Sequence, residues 1–103
     1  MNAELKARWV KALRSGRYRQ TTRRLSRGPA SKQSNCCLGV LCRVARVPRH
    51  RWSREVELQA AELNERLGLT RDDELQLIYR NDGVMGHDRH SFAEIADYIE
   101  ANL

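Results

Sequence analysis

The amino-acid sequence predicts an all-α or mostly α fold: a compact single domain spanning 1–103, built from about five short helices. Three observations carry this. Residues 36–46 are apolar over more than half of a helical circumference, as a central helix is. Amphipathic stretches with helix start and stop residues lie on both sides of it. And 103 residues at 41% hydrophobic content suffice for one modest core.

Taken in order, a first helix is expected over residues 3–15, with Asn2 as cap, Glu4 in the first turn and Gly16 at the end. Leu5, Trp9, Ala12 and Leu13 share a face, and Lys6, Arg8, Lys11 and Arg14 occupy the remainder. Residues 17–35 read as a small strand or loop arm: Gly28-Pro29 interrupts them, and Tyr18 is their one aromatic. With few apolar anchors, this arm is expected to be mobile until bound. On a helix over residues 36–46, only Gly39, Arg43 and Arg46 leave a polar or bare strip. Gly39 costs about 1 kcal/mol of helix propensity relative to Ala, so another backbone is expected to approach there.

Beyond Pro48, Ser53 is expected to cap a third helix to Leu67, with Val56, Ala60, Leu63 and Leu67 in line and Gly68 closing it. Thr70 and Asp73 suggest a short fourth helix to Tyr79, after which Asn81-Asp82-Gly83 reads as a loop. Ser91 and Glu94 form a capping box for the last helix, whose face is Phe92, Ile95, Ala96, Ile99 and Leu103.

The net charge of +6 conceals a division. Residues 1–54 hold 15 Lys or Arg against the single acid Glu4, a net of +14, whereas residues 55–103 hold 4 Arg against 12 acids, a net of −8. Such asymmetry points to contact with a polyanion. The plainer alternative is that the two halves neutralise each other internally. No apolar run approaches the roughly 20 residues of a membrane span, and the N-terminus lacks a signal-peptide layout. A cytoplasmic protein without membrane contact is expected. Cys36, Cys37 and Cys42 are odd in number and crowded, which is no disulfide framework and suits a reducing compartment.

Three stretches resemble one another's counterparts in a single group. Trp9-Val10-Lys11-Ala12-Leu13-Arg14-Ser15-Gly16-Arg17-Tyr18-Arg19-Gln20 is similar to an opening found in small bacteriophage and prophage proteins. Cys36-Cys37-Leu38-Gly39-Val40-Leu41-Cys42 resembles their centre. Asn81-Asp82 and the stretch from Ser91 to Glu100 resemble their ending. Thr21-Thr22-Arg23-Arg24 departs from the group, where a more Gly-rich stretch is common. The resemblance implies phage or prophage origin and a bacterial host cell as location. By class, it implies an anti-CRISPR-like inhibitor of host defence whose partner is a host protein or nucleoprotein complex.

Four kinds of chemistry compete for these residues. A zinc site drawing on the three Cys and His50, His87 and His90 is disfavoured, because the cysteines point about 0°, 100° and 240° around a helix. No metal or cofactor is expected. A cysteine-dependent enzyme would use Cys36 or Cys37 at a helix N-terminus, His87 or His90 as base and Gln33 as oxyanion donor. A helix-turn-helix at residues 63–74 fails because Asp72, Asp73 and Glu74 would enter the groove between phosphates. The basic face remains: Arg8, Lys11, Arg14, Arg17, Tyr18, Arg19, Arg23, Arg24, Arg27 and Lys32, with Lys6 beside them. Arg dominates over Lys, which suits bidentate phosphate contacts, and one aromatic disfavours sequence reading. The expected function is therefore a non-enzymatic binding protein acting on a nucleic-acid path or an acidic protein surface. A cysteine-dependent enzyme and a sequence-indifferent nucleic-acid-binding protein are the alternatives.

Overall fold

The computed structural model describes all residues from 1 to 103. Its first helix, α1 (Ala3–Arg14), begins where Asn2 Oδ1 accepts the Leu5 N–H at 2.9 Å. Trp9, Val10 and Leu13 are buried against the last helix and the central one. The Trp9 indole N–H would be an orphan there, and it donates to the Cys37 carbonyl at 2.9 Å.

Residues 19–35 form a small three-stranded sheet from β1 (Arg19–Gln20), β2 (Ser26–Arg27) and β3 (Ser34–Asn35). Strand β3 lies in the middle, parallel to β1 and antiparallel to β2, and a 3₁₀ turn over Ala30–Lys32 precedes it. The expectation of an arm that stays mobile until bound gives way to a docked one. Its one wholly buried apolar side chain is Leu25, whose N–H donates to Glu55 O and whose carbonyl accepts from Cys36 N–H.

Helix α2 (Cys37–Val44) is central, and Cys37 through Cys42 are all buried. The backbone approach expected at Gly39 is made by Leu25, whose carbonyl oxygen occupies the place a Cβ would take. Helix α2 thus receives the sheet on its one bare strip.

The third helix expected over residues 53–67 is mostly absent. A 3₁₀ turn (Arg49–Arg51) and irregular turns lead to α3 (Asn64–Leu67), a single turn capped by Gly68 in the left-handed region. The cause is Glu74, fully buried despite its charge. Its carboxylate accepts the backbone N–H groups of Leu58 and Gln59, the Asn64 side-chain amide at 2.8 Å and Arg71 Nη1 at 3.0 Å. A helix through residues 58–59 would use those N–H groups internally; a buried carboxylate takes them instead. Leu58 and Leu63 still reach the core, but Val56, assigned to a buried face by periodicity, is 61% exposed.

Helix α4 (Arg71–Asp82) opens with Thr70 Oγ1 accepting from Asp73 N–H, as expected, but runs three residues past Tyr79. Asn81 and Asp82 therefore belong to its last turn, and the loop begins at Gly83. Asn81 is buried, and its amide joins three parts of the chain. Its Oδ1 accepts from Cys37 N–H (3.1 Å) and Gln20 Nε2 (3.0 Å), and its Nδ2 donates to Thr21 O (2.9 Å). Helix α5 (Phe92–Asn102) carries the expected capping box and packs Ile95, Ala96 and Ile99 into the core beside α1. No helix is long and apolar enough to cross a membrane.

Two substitutions test this arrangement. Gly39→Ala should lower unfolding free energy by about 3 kcal/mol, the upper end of overpacking penalties, because a backbone carbonyl beside β2 cannot retreat as a side chain can. A denaturant midpoint within experimental error of the parent would contradict the close approach. Glu74→Ala should lose about 1–3 kcal/mol by chemical denaturation, since it strands the buried Leu58 N–H, while Arg71 keeps its pair with Glu57.

Candidate polyanion interface

If the two halves neutralised each other internally, the basic residues would be paired. Of the 15 in residues 1–54, only Arg14 has a carboxylate within 4.0 Å. Its guanidinium contacts Asp97 at 2.6 Å and also Glu100, both on α5. Hydrogen bonds to Asp97 and then Glu100 hold its pKa above the ordinary arginine value. Arg14 is thereby withdrawn from the free basic face, a correction to its sequence-based place there.

The remaining expected residues fall into separate groups. Lys6 and Lys11 line an open groove on α1 with Ala3, Ala7 and Val10, which Arg14 and Glu100 also enter. A carboxylate inside that groove makes it a poor path for an anion. Arg8 is exposed on the same helix. Arg17, Tyr18, Arg19 and Lys32 come together around a second depression with Gly16, Ser31 and Gln33. Arg43 closes one side of it: its guanidinium lies 5.6 Å over the Tyr18 ring, and its Nη1 donates to Gln33 Oε1 at 2.6 Å. Arg23 is exposed in the left-handed region (φ 68°), held by its N–H bond to Asp82 Oδ1.

Arg24 and Arg27 enter a third site. With Arg49, Arg54, Ser26, Gly28 and Ser53 they line a pocket of about 390 Å³ that contains no apolar residue and no acid. The fold assembles it from two segments. Docking of Leu25 fixes β2, and the Ser26 hydroxyl donates to Ser53 O at 2.9 Å, sewing β2 to the turn that carries Arg49 and Arg54. Arg27 Nη2 is tethered to Thr22 O at 3.3 Å. Arg24 Nε is buried without an acceptor, as is Gln33 Nε2. Between the Tyr18 depression and this pocket lies a shallow hollow sharing Gln33 with the first and Arg49 with the second, so the sites are contiguous.

Sequence reasoning missed Arg43, Arg49 and Arg54. Arg49 and Arg54 were visible in the run from Pro48 to Arg54, which holds three arginines in seven residues. The expected helix starting at Ser53 divided that run between two elements and hid it.

The cysteines sit elsewhere. All three are free and buried. Cys36 caps α2 through Sγ, which accepts the Gly39 N–H at 3.4 Å, yet burial outweighs that bond and pushes its thiol up to about 12. Burial likewise raises Cys37 and Cys42. The thiols therefore stay protonated at neutral pH, the state in which they are weak nucleophiles. The Cys, His, Asp and Glu side chains form no group of three placed to hold a metal ion.

A family described as "Domain of unknown function (DUF8296)" matches residues 1–61, the stretch holding α1, the sheet, α2 and the turn with Arg49 and Arg54. No curated protein and no solved structure matches the chain.

Buried thiols give a direct check. Iodoacetamide at pH 8 should modify Cys36, Cys37 and Cys42 only after denaturant is added, as read by intact mass; rapid labelling of Cys36 in the native protein would contradict its burial. Folded Cys36 holds its proton more tightly than a thiol at the ordinary 9.0, so the unfolded chain ionises first and stability falls as pH rises above about 9.

Proposed function

Because the chain belongs to the DUF8296 family, whose description assigns no activity, we propose a function from its surface chemistry: a non-enzymatic protein that binds nucleic acid through backbone phosphates. One observation carries this reading. Four arginines line one pocket with no carboxylate among its walls. Like charges repel, and folding alone gives no reason to gather them. An anionic partner does.

The contiguous track from Arg17 and Lys32 past Arg43 and Arg49 to Arg54 favours a strand over a compact anion, since it offers successive cations along a line. Guanidinium groups match phosphate oxygens in pairs. Tyr18 supplies one stacking surface with Arg43 already over it, so base identity has little purchase and binding is sequence-indifferent. Inhibition of a host nucleoprotein complex, which the likeness to phage proteins implies, would follow from occupying the path of its strand.

Fluorescence anisotropy with a labelled single strand tests the reading. Four phosphate contacts give a slope near −0.7 per contact in log K against log salt, so affinity should fall about 50-fold between 50 and 200 mM salt. Arg27→Glu with Arg54→Glu should weaken binding more than about tenfold and flatten that slope. An affinity indifferent to salt, or untouched by both substitutions, rejects phosphate-driven contact at this face.

A further inference from the structure

The pocket walled by Arg24, Arg27, Arg49 and Arg54 is unlike the rest of the track. At about 390 Å³ it has the size of a small-ligand site, which typically spans roughly 300–1,000 Å³, but it lacks the apolar walls such sites use to bury a ring. A nucleobase or sugar finds no apolar or aromatic wall here, only guanidinium planes. Four guanidinium groups also exceed what one internal phosphodiester can satisfy, with its single negative charge. A phosphate monoester brings a charge of about −1.5 to −2 at neutral pH and three acceptor oxygens. We infer that this pocket is a binding site for a phosphate monoester, supplied either by the phosphorylated end of a nucleic-acid strand or by a free phosphate ester.

The site is prearranged. Arg27 is tethered to Thr22 O, and Ser26 joins its own strand to Ser53, so the two segments cannot drift apart. Gly28 turns the chain at φ +86°, where a Cβ would press on the Lys32 carbonyl, which keeps that wall low. Arg24 is half-buried beside β2, so its place on the wall is fixed by the docking of Leu25 next to it. The backbone of both segments is fixed in this way, while the exposed Arg49 and Arg54 side chains would be ordered by the ligand they bind.

In its strand-end form this inference rests on the nucleic-acid reading; in its free-ester form it does not. The full-length chain is measured two ways. Thermal melting is followed against sodium phosphate and against sodium chloride at matched ionic strength. Anisotropy then compares one single strand carrying a 5′-phosphate with the same strand carrying a 5′-hydroxyl. The expected results are a saturable rise in Tm specific to phosphate and about tenfold tighter binding of the phosphorylated strand, the gain from one or two charge-assisted hydrogen bonds. Arg49→Gln and Arg54→Gln, at exposed side chains, should abolish both effects. A saturable phosphate effect without end preference assigns the site to free phosphate esters. The same effect with neither strand bound keeps the pocket and removes the nucleic-acid reading. Salt-dependent binding of both strands alike, with no phosphate-specific stabilisation, overturns the pocket and leaves that reading standing. Absence of both effects with no strand binding overturns both.

Discussion

The close approach of two backbones, at Gly39 of α2 and at Leu25 between β1 and β2, governs the arrangement of the basic side of the molecule. Only a residue without a Cβ lets the Leu25 carbonyl reach the helix, and that carbonyl then accepts the N–H of Cys36, the cap of the same helix. Leu25 is flanked by Arg24 on one side and Ser26 and Arg27 on the other. Anchoring one apolar side chain therefore positions two arginines and the serine that ties them to the next turn. A segment too polar to fold alone is ordered by this one apolar anchor together with the hydrogen bonds of Asn81, Asp82 and Ser53 to it.

The acidic half contributes to architecture through a few residues. Glu74 and Asn81, both inside, answer buried backbone groups that no regular element satisfies: the first at residues 58 and 59, the second at the N-terminus of α2 and at Thr21. Asp97 and Glu100 answer a different need, drawing Arg14 against α5. What separates the two halves of the charge distribution is thus a division of labour. Several acids hold the frame, while all but one of the bases in residues 1–54 keep clear of a carboxylate.

Legibility in the sequence followed how local the determining interaction was. Asn2, Thr70, Ser91 and Gly68 act on neighbours three or four residues away, and they marked helix ends faithfully. The apolar circumference of α2 and its bare strip at Gly39 were also readable, because a helix projects its own sequence pattern. The failures all came from distant partners. Val56, Ala60, Leu63 and Leu67 have helical spacing, yet Glu74, far along the chain, captures the N–H groups such a helix would need. Asn81-Asp82-Gly83 has turn composition, but its first residue is recruited into α4 by Cys37 and Thr21. For the interface, the sequence identified most of the cations, and could not say that Arg14 is neutralised by α5 or that Arg24 and Arg27 meet Arg49 and Arg54.

The packing of α1 on α5 bears on how the chain reaches this state during synthesis. These two helices come from opposite ends of the described residues and form the most extensive contact between any pair of elements. While the ribosome is still translating residues 92–102, Trp9, Val10 and Leu13 have only part of their eventual cover. Until α5 has been made, those side chains lack the partner with which α1 makes its most extensive contact. Closure of α1 by α5 can follow only once α5 has been made, and the pairing of Arg14 with two α5 carboxylates gives that closure an electrostatic guide in addition to its hydrophobic one.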